Sequence, residues 1–411
     1  MILDIGIGFV TGRKHFQNVL TSYFNNFLEH GLIHDKKIRL HLFVAYDLKY
    51  SKTLPEDYKN IDPEIAAMIE SINFYGKQTI EAERKYLEKA GIINEEESEL
   101  LFGEGYAKKR NAVIYFAKKN KMDRLIFLDD DEYPVATMKN SFGNLTWMGQ
   151  SVVGTHLRYS DGADITHGHH CGYISPIPTI EFNETLTEND FKHFIEAISN
   201  EIISWKVVKE TIITNSGVTY ANAKIINEQL VTEVEEVSGM KFISGANLCF
   251  NLKNIKELPP FYNPPGARGE DTFMSTSLSK MKVLKVPVYT FHDGFLNYKN
   301  ILKGVLPITL LPVDSSSPEI IKRFVNATIG WIRYKPLMVY ITQRNEYDDI
   351  IKSMRHKLQL TIPKFCAYFN TNQFEQILVE LDHYHKYVGK HFKAFEQTKS
   401  SWQKVMKHLA C

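Results

Sequence analysis

Three consecutive aspartates, Asp129, Asp130 and Asp131, follow the short apolar run Leu125-Ile126-Phe127-Leu128. Adjacent carboxylates repel one another, and packing gives no reason to place three together. A divalent cation relieves that repulsion, and all-oxygen ligands suit Mg²⁺ or Mn²⁺. A solvated acidic turn has the same composition. The continuous apolar run upstream, however, is the pattern of a buried parallel strand, and open α/β sheets bind ligands where such strands leave the sheet. A second acidic pair, Glu270-Asp271, ends a proline-stiffened loop that begins at Pro259 and is expected to open a helix over Thr272–Met281. Carboxylates there are favourable through the helix dipole alone, and they also suit a general base. Thr11-Gly12-Arg13, Asp47 and His292 each follow an expected strand directly. Asp47 can cap a turn or accept from a ribose or base edge, and His292 can be a core residue, a ligand or a base. Carboxylates around a divalent ion with arginine nearby describe a diphosphate site. The run His167-Gly168-His169-His170-Cys171 matches no zinc spacing, because its ligands crowd too closely for one tetrahedron. It reads as a glycine-rich loop that either contacts a polar substrate or has no such role.

The elements that must position these groups follow from periodicity. Ile2 to Val10 alternates apolar residues with glycine and is predicted to be a first, central strand. Val19 to Leu28 is amphipathic and ends at Gly31, a C-cap residue, and Ile38 to Tyr46 is a second strand completing a βαβ unit. Lys108 onward is a helix with Ala112, Ile114, Tyr115 and Ala117 on its apolar face, feeding the strand that ends in the aspartates. Pro55 to Leu101, with Glu95-Glu96-Glu97, reads as a helix-prone surface excursion outside the catalytic region. A strand is expected over Trp147–Leu157, helix over Phe191–Ile213, and polar strand character over Val231–Val237. Lys241–Asn251 is a predicted strand whose central glycine admits a close approach, and Val283–Phe291 is the last strand. In a parallel sheet the ends bearing Thr11, Asp47, Asp129–Asp131 and His292 line one edge. This organisation divides the chain into an α/β domain over 1–310, with insertions at about 55–105 and 140–240, and a helical region over 315–411.

The 411 residues are 44% hydrophobic and 24% charged, the balance of an ordinary globular protein long enough for two domains. The net charge of +1 gives no argument for nucleic acid, but it hides an asymmetry. From Ser315 onward there are 15 Lys and Arg against 8 Asp and Glu, a local +7, so the rest carries −6. A basic helical tail is a solvated face, a dimerisation element or a peripheral dock on an anionic membrane. Ile377, Leu381, Tyr384, Val388, His391 and Phe395 recur there at helical spacing, as core packing or a partner helix requires. Four scattered cysteines without a CxxC pair point to a reducing, cytoplasmic setting, and no apolar run is long enough to span a membrane.

The ordered motifs resemble those of GT-A fold glycosyltransferases of the broad family-two type over residues 5–295. In that family a helix with an Ala-Arg-Asn-like motif precedes an apolar strand ending in Leu-Asp-x-Asp. The counterparts here are Lys109-Arg110-Asn111 and Leu128-Asp129-Asp130-Asp131. The family's first-strand turn corresponds to Val10-Thr11-Gly12-Arg13, its nucleotide-binding aspartate to Asp47, and its Glu-Asp motif to Gly269-Glu270-Asp271-Thr272. The resemblance implies a Rossmann-like α/β fold with a mainly parallel sheet flanked by helices. It also implies sugar transfer from a nucleotide sugar, such as a UDP- or GDP-sugar, to a hydroxyl of a glycan, glycolipid or small molecule, with Mn²⁺ or Mg²⁺. Asp131 would be the main metal ligand, with Asp129 on the metal or ribose and His292 as a late ligand. Thr11, Arg13, Asp47, Arg110 and Asn111 would contact the donor. Asp130 would hold the variable position near it and tolerate Ser or Ala. Asp271, with Glu270 beside it, would deprotonate the acceptor and give inversion. A sugar nucleotidylyltransferase is an alternative, although Thr11-Gly12-Arg13-Lys14 is a poor version of its basic glycine-rich loop. A non-catalytic carbohydrate-binding protein on a transferase scaffold is the other.

Overall fold

The computed structural model describes residues 2–199, 205–253, 257–298, 301 and 305–410. Its first strand, β1 (Leu3–Thr11), alternates Ile5, Ile7 and Phe9 with Gly6 and Gly8. The large side chains pack on Phe16, Tyr23 and Phe24 of helix Phe16–Glu29. The glycines leave the opposite face shallow, so that a Cβ on Gly8 would lie 3.0 Å from Val113 of helix Tyr106–Lys119. That close approach aligns the helix under the strand that ends in the aspartates.

The remaining strands are β2 (Ile38–Tyr46), β3 (Ser71–Tyr75), β4 (Arg124–Leu128), β5 (Glu132–Tyr133), β6 (Val135–Lys139), β7 (Leu145–Gly149), β8 (Ile165–Gly172), β9 (Thr232–Glu233), β10 (Leu248–Asn251) and β11 (Val283–His292). The central sheet runs β3-β2-β1-β4-β10-β8-β11-β5, with β9 on the flank of β11, and β6 and β7 form a separate hairpin. The first four strands are parallel. β10 is antiparallel to both β4 and β8, and β8 and β11 are parallel to each other. β4, β8 and β11 therefore share a direction, and their carboxyl ends lie on the same edge as those of β1 and β2. The protein is an α/β fold with a mixed sheet flanked by helices and a helical C-terminal region.

Several expectations are corrected. The stretch 55–101 is not wholly a surface excursion: Ser71–Tyr75 inside it pairs with β2 and extends the sheet. Its half-buried edge position left only a short apolar signal. The expected strand over Trp147–Leu157 divides into β7 and a helix, Val152–Ser160. The histidine-rich run is no loop; it forms β8, whose backbone pairs with β10 on one side and β11 on the other. Only Leu248–Asn251 of the expected 241–251 strand is extended, and the acidic helix is one short segment, Glu270–Ser275, beginning at the carboxylates themselves. The expected 191–213 helix is borne out at both ends, by helix Glu188–Ile198 and by helical turns over Trp205–Val208 and Lys209–Ile213; residues 200–204 lie outside the described residues.

The C-terminal helices Pro318–Thr342, Tyr347–Tyr368, Gln376–Lys386 and Val388–Ala410 share a core with the middle of the chain. Phe324, Phe365, Ile377 and Leu381 pack with Phe191 and Phe194. Trp402 enters the core beneath β4, and its Nε1–H donates to the Leu258 carbonyl at 2.7 Å. The apolar stripe of the tail is thus buried within the chain. No helix among the described residues is long and apolar enough to cross a membrane.

Candidate functional site

At the carboxyl edge of β1 and β4, carboxylate oxygens of Asp129, Asp130 and Asp131 lie within 4.8 Å of one another. Thr11, the last residue of β1, donates its hydroxyl to Asp130 at 2.5 Å. Arg13 reaches Asp131 at 2.5 Å through Nη1 and Asp130 at 3.4 Å through Nε. His292 closes β11 with Nε2 3.4 Å from Asp131, while Nδ1 is 2.5 Å from the Tyr173 carbonyl. Asp47 stands at the end of β2, where it accepts from Lys109 Nζ at 2.8 Å and from the Lys49 amide at 2.9 Å. The edge expected from the sequence therefore brings together Thr11, Arg13, Asp47, the aspartates and His292.

The electrostatics of this edge are those of an acidic site short of positive charge. Burial, together with Asp131 and Glu132, raises the Asp129 carboxyl above its ordinary range. Burial and its two aspartate neighbours push Asp130 up to about 7 against the pull of Arg13 and Thr11. For Asp131 burial is outweighed by His292 and Arg13, which hold it far below the usual carboxylate range. Burial opposes a charge on His292, but Asp131 beside it prevails and raises it to about 9. Four acidic side chains, counting Glu132, lie among Arg13, His292, His170 and the more distant Arg110. This donor set fits a divalent cation, with Asp129 and Asp131 as oxygen ligands and His292 Nε2 available once deprotonated.

The second acidic pair is joined to the first by Arg110. Its side chain is 2% exposed and lies over the rings of Tyr106, Phe127 and Phe261. Nη1 donates to the Gly245 carbonyl, Nη2 donates to the Tyr106 hydroxyl at 3.3 Å, and Nε is 3.6 Å from Glu270. The Tyr106 hydroxyl in turn reaches Asp129 at 3.4 Å. One buried cation thus spans the two clusters. Burial and the Asp271 charge raise Glu270 to about 7, and burial raises Asp271 against the pull of the nearby Gly245 amide and of the Thr272 amide, which donates to it at 2.8 Å. Carboxylates held this way are suited to accept a proton near neutral pH.

Asn111 is not part of the edge. It is fully buried, and its amide clamps the Phe261 backbone in both directions, at 2.9 and 2.8 Å. It anchors the chain that leads into the Glu270 loop. Sequence reasoning missed Tyr106, four residues before Arg110 and so on the same helical face, a spacing that could have disclosed it. It also missed Glu132 and Ser244, and it read His170 only as part of a glycine-rich loop. His170 Nδ1 is 3.0 Å from Glu132, and Nε2 is 2.8 Å from the Ser244 hydroxyl. No local signal marks contacts between strands so far apart in sequence.

The fold and site together define an α/β protein with a mixed sheet and an acidic, cation-competent carboxyl edge. Neither a protein-family model nor a curated protein matches the chain.

Proposed function

We propose that this protein is a metal-dependent glycosyltransferase of the GT-A type, moving a sugar from a nucleotide-sugar donor to a hydroxyl acceptor. The observation that carries the reading is the convergence of Asp129–Asp131 with Arg13 and His292 at one sheet edge, linked through Arg110 to the Glu270-Asp271 pair. The strand order supports it as well: a parallel block β3-β2-β1-β4 followed by antiparallel β10 places the first cluster at an edge where open sheets bind nucleotides.

A bound Mn²⁺ or Mg²⁺, held by Asp129, Asp131 and His292, would neutralise the donor diphosphate. Asp47 stands ready to accept from ribose or a base edge, with Lys109 fixing its carboxylate. Arg13 offers a cation to phosphate oxygens in exchange for its contact with Asp131. Asp271 takes the proton of the acceptor hydroxyl, the freed oxygen bonds to the anomeric carbon, and the bond to the nucleoside diphosphate breaks. Attack from the face opposite the leaving group inverts the centre.

Asp271→Asn is expected to lower kcat by roughly a hundredfold while leaving donor KM within a few-fold, since general-base catalysis contributes on that order. Equal losses in donor affinity and turnover argue against the base role. Release of pyrophosphate from a nucleoside triphosphate and a sugar phosphate would instead establish a nucleotidylyltransferase.

A further inference from the structure

We infer that Glu132, His170 and Ser244 form a positioning relay that fixes the Gly245 peptide, and through it Asp271 and Arg110, relative to the Asp129–Asp131 cluster. The inference deepens the transferase reading and rests on it for its kinetic consequence. Its geometry stands independently.

The chain of contacts is continuous. Glu132 directly follows Asp131 and is 4% exposed. One carboxylate oxygen accepts from the Thr290 hydroxyl at 2.7 Å, and the other lies 3.0 Å from His170 Nδ1. On the far side of the ring, Nε2 is 2.8 Å from Ser244 Oγ, and that hydroxyl is 2.6 Å from the Ala246 carbonyl. Hydrogen accounting gives the relay a direction. Ser244 has one hydroxyl hydrogen, and the Ala246 carbonyl can only accept it. Nε2 must then donate to Ser244 Oγ, while Nδ1 lies 3.0 Å from both Glu132 and the Thr290 hydroxyl.

The relay ends beside the residue that anchors Arg110, the cation next to the proposed base pair. The Gly245 carbonyl accepts from Arg110 Nη1, and its amide lies on the Asp271 side, where it helps draw that carboxyl down. The site tolerates little movement here, because a Cβ on Gly245 would lie 3.0 Å from Arg110 Nη2. Residues 242–246 belong to no strand or helix, so side-chain contacts help restrain them up to Asn247, whose carbonyl accepts from the Gly168 amide at 2.7 Å. Ser244 is the only residue of that loop tied to β8 through a ring, whereas Asn247 is tied to it through a carbonyl. A misplacement of about 1 Å in a reacting group costs on the order of a hundredfold in rate.

The test uses the full chain with Mn²⁺ and its best nucleotide-sugar donor. Ser244→Ala, which removes one oxygen, is expected to lower kcat about tenfold or more, with donor KM and Mn²⁺ affinity within threefold of the parent. Ser244→Thr, which keeps the hydroxyl, is expected to restore most of the turnover. His170→Leu is expected to match Ser244→Ala, and the double variant to be no worse than the poorer single one. Unchanged kcat, a loss confined to KM, or losses that multiply in the double variant overturn the relay. A crystal structure of Ser244→Ala separates this inference from the transferase reading. Movement of the Gly245 peptide away from Asp271 with Asp129–Asp131 in place supports the relay even in a protein that transfers no sugar, and an unmoved peptide overturns it even in one that does.

Discussion

Asp130 shows how much chemistry a residue can hide behind a motif. In the Asp-x-Asp pattern it takes the variable place, which led to the expectation that it tolerates alanine. In the structure it is 4% exposed, accepts from Thr11, and faces Arg13. Asparagine preserves the Thr11 contact without the charge; alanine removes both. Asp130 is raised to about 7 by burial and by Asp129 and Asp131, so the native state binds a proton that the unfolded chain has released above about pH 4. Its contribution to stability is therefore lost as pH rises from about 4 through 7. Asp130→Asn is expected to flatten that dependence and to raise the melting temperature of the ion-free protein at pH 7, measured by thermal denaturation across the pH series. The aspartates, Glu270-Asp271 and Thr11-Gly12-Arg13 were legible because each motif is local and sits at a strand or helix boundary. The Arg110 bridge and the His170–Ser244 contact, the latter 74 residues apart, were not, because burial and strand neighbours are set by the sheet.

At the scale of elements, β1, β2, β4 and helix Tyr106–Lys119 were readable from hydrophobic period alone, since each buries a full apolar face. β8 was not. Its histidines and glycines look like a loop until the partners are known. His156 hydrogen-bonds both Thr166 and Asn247, and Asn247 donates to carbonyls of His169 and Val288, tying β8 to β11. Gly168 is required where Asn247 crosses: a Cβ there would lie 2.1 Å from the amide nitrogen. Gly168→Ala is expected to destabilise the protein by about 1–3 kcal/mol through overpacking, read from chemical denaturation. An unchanged denaturation midpoint would show that Asn247 can move aside at no cost.

The whole molecule is held together by its tail. Residues 315–411 supply one side of the core around Phe191 and Phe194, and Trp402 is buried between that tail and Leu258. Trp402→Ala is expected to cost about 3–5 kcal/mol, the range for deleting a buried aromatic, and to loosen the base loop that follows Leu258. Removing the tail at Ser315 should yield an aggregating fragment, since it exposes both aromatic clusters at once. The proposal that matters most at this scale is that the acidic edge binds a nucleotide sugar through a divalent ion. The most direct measurement is the thermal shift of the parent chain and of Asp131→Ala with a panel of UDP- and GDP-sugars, with and without Mn²⁺. At least one nucleotide sugar is expected to raise the melting temperature of the parent only when Mn²⁺ is present, and Asp131→Ala is expected to lose the shift while remaining folded. A parent chain whose melting temperature no nucleotide sugar changes with Mn²⁺ or Mg²⁺, or an Asp131→Ala variant that keeps the full shift, contradicts it.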